Sequence, residues 1–122
     1  MLRITLIKQR IMSKKLTLSI LIGFFTLYAV AQNDYYWVGG SGFYDDVAHW
    51  ASSSGGDDYR SVEPGPTDNV YFDENSGFTY GDNVVTIRAT GFAKDIIFNE
   101  TTVPVTFEQD GQQKLHIYGS SE

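Results

Sequence analysis

From Asn69 onward the chain alternates apolar and polar residues with a period of two, and no stretch of it repeats at helical spacing. Val70 and Phe72 share one face, with Tyr71 and Asp73 on the other; Val85, Ile87 and Ala89 oppose Thr86 and Arg88. The pattern recurs at Ile96 and Phe98 against Ile97 and Asn99, and at Val103, Val105 and Phe107 against Pro104, Thr106 and Glu108. It appears once more at Leu115 and Ile117 against His116 and Tyr118. Successive side chains of an extended backbone point to opposite faces, so this alternation of β-branched and aromatic residues means strands half buried on one side. Turn residues interrupt the pattern about every ten positions. The expected fold class is all-β.

Two architectures fit: a right-handed parallel β-helix or a β-sandwich. An internal repeat favours the first. The run NVYFDENS at 69–76 aligns with DIIFNETT at 95–102, and VTI at 85–87 aligns with LHI at 115–117. Segments 69–91 and 95–119 thus read as two coils of one repeat. Each coil of a solenoid buries its face only on a neighbour, so two are too few for stability. The strand region 67–122 is accordingly expected to be the truncated opening of a longer protein, with further repeats stacked at its C-terminal end.

Residues 32–66 differ. They hold both tryptophans, the run Gly39, Gly40, Ser41, Gly42, and an acidic Gly/Ser loop from Ser52 to Asp58 that reads as flexible. Pro64, Gly65 and Pro66 make a rigid turn into the first clear strand. This segment is expected to cap the first coil, whose apolar face and strand edges would otherwise meet water.

The N-terminus reads as a signal peptide over residues 1–31, with Met12 the better start. Lys14 and Lys15 precede an uncharged apolar run to Tyr28, and Ala29 and Ala31 supply the small-x-small pattern before Gln32. The run is shorter than the roughly 20 residues that span a bilayer, so no stable membrane span is expected after cleavage. Removal leaves Arg60, Arg88, Lys94 and Lys114 against all fifteen acidic residues, a formal charge of −11 from Gln32 onward. Such a surface repels phosphate backbones and anionic bilayers, which argues against nucleic acid and lipid as partners. There are no cysteines, so no disulfide supplements the small core.

Catalytic chemistry has little to draw on. The two histidines, His49 and His116, have no glycine-flanked serine context beside them. The acid pairs Asp45 and Asp46, Asp57 and Asp58, and Asp73 and Glu74 are adjacent in sequence, which on a strand points them to opposite faces. Solvated loop acids are the simpler reading, and no catalytic residue and no enzymatic activity are expected. Asp73 and Asn75 open a run with the start of a calcium-loop spacing, but it lacks a third ligand before Gly77 and a downstream bidentate Glu. No other cofactor is implied. Tyr36, Trp37, Tyr44 and Trp50 stand out within a crowded aromatic stretch. They fit either a stacking platform for a glycan, whose axial C–H groups meet the π-face, or the core of the cap.

The runs YYWVGGSG at 35–42 and DVAHW at 46–50, followed by PGPTDNVYFD at 64–73 and KDIIF at 94–98, together resemble the N-terminal region of large secreted, adhesin-like surface proteins of gliding-type bacteria. The resemblance extends over residues 35–119. It departs at Phe43 and Tyr44, where that family commonly carries Asn-Trp. It implies β-helical repeats, immunoglobulin-like domains further on, and export by the type IX secretion system. The expected function is a non-catalytic domain of an extracellular or cell-surface protein that contacts a glycan or another surface ligand. The alternative is the N-terminal region of a secreted polysaccharide-degrading β-helix enzyme, and a third reading is a free-standing exported domain.

Overall fold

The computed structural model describes residues 31–119. Residues 1–30, with Met12 and Ala29 of the expected signal peptide, lie outside the described residues; Ala31 and Gln32 are exposed just ahead of the first strand. No helix among the described residues is long and apolar enough to cross a membrane.

The strands are β1 (Asp34–Trp37), β2 (Gly42–Phe43), β3 (Trp50–Ala51), β4 (Asn69–Asp73), β5 (Val84–Ile87), β6 (Gly91–Ala93), β7 (Asp95–Asn99), β8 (Thr106–Gln109) and β9 (Leu115–Ile117). One 3-10 turn, Val47–His49, precedes β3, and Asp46 caps it by accepting a hydrogen bond from the Ala48 N–H. The strands form three small sheets in the orders β3-β1-β4-β7, β2-β5-β8 and β6-β9. Every named strand pair is parallel except β1 with β3. The antiparallel ladders of a sandwich are therefore confined to one short pair. Parallel neighbours need long connections. Here the chain supplies them by visiting the other two sheets before it returns: β4, β5, β6, then β7, β8, β9.

The first alignment of the internal repeat corresponds to real pairing, since Asn69 lies beside Asp95 and Phe72 beside Phe98. The second does not. Val85 pairs with Phe107, and Leu115 pairs with Gly91. Likeness between VTI and LHI reflects two strands with the same inward pattern at different positions. The strand stack also begins earlier than expected, because β1 and β2 in segment 32–66 already lie in register beside β4 and β5. In the segment 103–107 only Thr106 and Phe107 belong to a strand.

Inward side chains of the middle layer are fully covered. Val70, Phe72, Val85, Ile87 and Ala93 join Tyr35, Trp37, Tyr44, Trp50, Phe78 and Val103 in one core. Burial of each large member contributes about 1.5–3 kcal/mol. The acidic loop, expected to be flexible, is tied down: the Ser52 N–H donates to Asp58 O, Ser52 Oγ to Asp58 Oδ2, and Ser54 Oγ to Asp73 Oδ2.

Candidate functional site

Two ends of the strand stack carry the features that bear on function. At one end, β1 and β3 bring Trp37 opposite Trp50. Their rings meet edge to face at 5.0 Å, and Trp50 also takes the rings of Tyr44 at 5.1 Å and Tyr35 at 5.9 Å. Phe72 closes the cluster from the middle layer, 5.7 Å from Trp37 and 5.9 Å from Trp50. Each polar handle is turned inward: Trp37 Nε1 donates to Gly40 O at 2.7 Å, Trp50 Nε1 to Tyr44 O at 2.7 Å, and Tyr44 Oη to Phe92 O at 2.8 Å. Trp37 and Trp50 have no exposed surface. A ring in this state offers no face to a sugar. Of the four aromatic candidates only Tyr36 points outward, and its ring is stacked on Tyr71 at 4.7 Å.

Glycines make this cluster possible. Gly40 has φ +73°, and its N–H donates to Ser76 O. Gly91 lies over Tyr44, where an added Cβ would stand 2.8 Å from Cδ1 of that ring. The His49 imidazole lies flat on Trp37, 4.6 Å away at 8°. Its Nδ1 is 2.6 Å from Val38 O, and a carbonyl only accepts, so Nδ1 carries the hydrogen. Ser41, His49 and Asp82 gather here without forming a nucleophilic relay. Ser41 Oγ accepts from the Val84 N–H, and the Ser41 N–H donates to Asp82 Oδ1. Hydrogen bonding from the Ser41 backbone N–H, and then from its side chain, holds the Asp82 carboxyl below the usual carboxylate range.

Burial, and then the charges of Glu63 and Asp68 and the Tyr35 phenol, push the Tyr44 hydroxyl far above its ordinary value. The neutral phenol is thus favoured in the folded state. Its stabilisation is complete below the unfolded value of 10.0 and is lost as pH rises through the folded value. Tyr44→Phe is expected to cost about 1–2 kcal/mol at neutral pH, because Phe92 O loses its donor. The same variant is expected to lose less additional stability than the parent above about pH 10, which urea melts at neutral and alkaline pH would measure.

The calcium candidates are engaged in turn closure. Asp73 Oδ1 accepts from the Asn75 N–H and Oδ2 from Ser54 Oγ, while Asn75 Nδ2 donates to Ser54 Oγ. Among the described residues no three His, Cys, Asp or Glu side chains converge as a metal set. Asp45 pairs with Arg88 at 2.9 Å, and that guanidinium covers the Phe43 ring.

At the opposite end β7, β8 and β9 are all edge strands. Their inward positions continue those of the core, since Phe98 follows Phe72, Phe107 follows Val85 and Ile117 follows Ala93. Yet Phe98 is 54 % exposed, Phe107 36 % and Ile117 55 %. An open groove of about 290 Å³ runs between Phe107 and Leu115 and is rimmed by Glu108, Gln113 and Lys114. Alternation in the sequence identifies these residues as inward-facing, but only the layer count shows that nothing among the described residues lies over them. Comparison with protein-family models, curated proteins and solved structures gave no match.

Proposed function

We propose that residues 32–119 are the closed N-terminal end of a right-handed parallel β-helix, and that the chain belongs to an exported, non-catalytic, adhesin-like surface protein. The observation that carries this reading is the difference between the two ends. One is sealed by the Trp37–Trp50 cluster and the antiparallel β3, while the other presents three parallel edges and the apolar side chains of Phe98, Phe107 and Ile117. Edges of this kind template further strands. The residues behind the resemblance support the same role. Trp37, Gly40, Gly42, His49 and Trp50 pack on one another at the sealed end, which makes the motif a device for ending a strand stack.

An antibody against residues 32–119 tests the proposal on the native product. A cell-surface or medium band far above the 13.7 kDa of this chain supports it, and a secreted band at or below that mass overturns it. A double variant, Phe98→Lys with Phe107→Lys, probes the open end directly. If further strands stack there, two buried charges cost several kcal/mol and the native product becomes protease-sensitive. If nothing stacks, both lysines reach water and stability changes by about 1 kcal/mol or less.

A further inference from the structure

The outer face of the β6–β9 sheet brings three aromatic rings and two lysines together. Parallel pairing sets Phe92 beside His116, with Gly91 and Leu115 turned inward. Continuing the register places Thr90 level with Lys114 and Lys94 level with Tyr118; the Gly91 N–H donates to Lys114 O and the Tyr118 N–H to Ala93 O. Phe92, His116 and Tyr118 hold their rings within 23° of parallel, with centroids 5.6 to 6.4 Å apart. Tyr118 is 60 % exposed. The lysines stand at diagonal corners, each one row from the Phe92–His116 pair, and rows two residues apart on a strand are separated by about 6.6 Å.

Two of the four basic residues after Gln32 therefore border one aromatic surface, and residues 89–94 and 112–119 contain no acid. Of the nearby carboxylates, Asp68 is turned inward and accepts from the Asn33 and Gly65 N–H groups. Asp95 begins the neighbouring strand β7 and sets its carboxylate against Gly119, at the border of the surface beside Tyr118. An aromatic surface stacks on the C–H face of a pyranose, and flanking ammonium groups complement negative charge on that sugar. We propose that the β6–β9 face binds an anionic polysaccharide, with uronate rings on Phe92, His116 and Tyr118 and carboxylates on Lys94 and Lys114. The site uses outward residues on and beside β6 and β9, whereas the stacking reading rests on the inward Phe98, Phe107 and Ile117; Lys114, on the rim of the groove, borders both.

The test is calorimetric titration of the protein purified from cells expressing the full chain, using polygalacturonate as probe. Fully methyl-esterified polygalacturonate and inorganic polyphosphate serve as comparisons. Binding to polygalacturonate is expected. It should weaken about tenfold in Lys94→Gln with Lys114→Gln, and by a similar factor in Tyr118→Ala. All of these positions are exposed, so unchanged melting of the variants separates lost binding from lost fold. No binding to polygalacturonate overturns the proposal, as does binding that survives both variants. Equal binding to the methyl ester removes the role of the lysines, and equal binding to polyphosphate removes the sugar; either result also overturns it. None of these outcomes bears on the mass of the native product, which decides the stacking proposal separately.

Discussion

Trp50→Ala is expected to abolish the cooperative unfolding transition of the domain. Trp50 has no exposed surface and touches the rings of Tyr35, Trp37, Tyr44 and Phe72. Truncating a buried tryptophan costs about 3–5 kcal/mol. Loss of the Nε1 donor to Tyr44 O adds about 1 kcal/mol, since that carbonyl loses its side-chain partner in the core. Domains of this size have total stabilities of about 5–15 kcal/mol, and without disulfides this one belongs near the lower limit. Near-ultraviolet circular dichroism and a thermal melt are the measurements. Tyr59→Ala is the comparison, because that ring is 53 % exposed and its removal should shift stability by about 0.5 kcal/mol or less. A Trp50→Ala protein that still melts cooperatively within about 1 kcal/mol of the parent would mean that the cluster is not what closes this end.

Gly42→Ala has the second large effect, for a steric reason. An added Cβ would overlap Nε2 of His49 and lie 2.6 Å from Cδ2 and 2.7 Å from Cε1 of the same ring. The imidazole is held on two sides. One side lies on Trp37, and Nδ1 is held by Val38 O. Forcing a methyl group into such a contact costs about 1–3 kcal/mol. His49→Ala alone gives up the stacking on Trp37, about 1 kcal/mol. Combining the two removes the clash, so the double variant is expected to be at least as stable as Gly42→Ala. Its loss should fall short of the sum of the single losses by about 1 kcal/mol or more. Urea melts of the parent, the two single variants and the double variant check this. Strict additivity would mean that the ring moves aside freely.

These two results bear on how the motif at 35–50 is to be understood. Its glycines and its His-Trp pair are far apart in function if read as separate ligand contacts. They are one unit when read as packing, since Gly42 leaves space for the ring that lies on Trp37, and Trp37 in turn meets Trp50. The outward aromatic surface of Phe92, His116 and Tyr118 lies outside that motif.

The sequence by itself determined the fold class and the facing of the longer strands. Val70 and Phe72 point inward because period-two alternation is a property of a single extended segment, independent of what lies beside it. It also determined one register, since β4 and β7 share both a pattern and a run of similar residues. Tertiary structure alone decided the rest. The parallel pairing of β5 with β8 could not be seen, because alternation states which face a residue occupies and not which strand is its neighbour. Strands of two or three residues, such as β2, β3 and β6, are too short to carry a period at all. Whether an aromatic is core or platform depends on distant segments. Tyr44 is buried because its hydroxyl reaches Phe92 O, 48 residues away, and Trp50 because β4 brings Phe72 against it. Burial is a property of the assembled neighbours, and a residue's own sequence surroundings do not contain them.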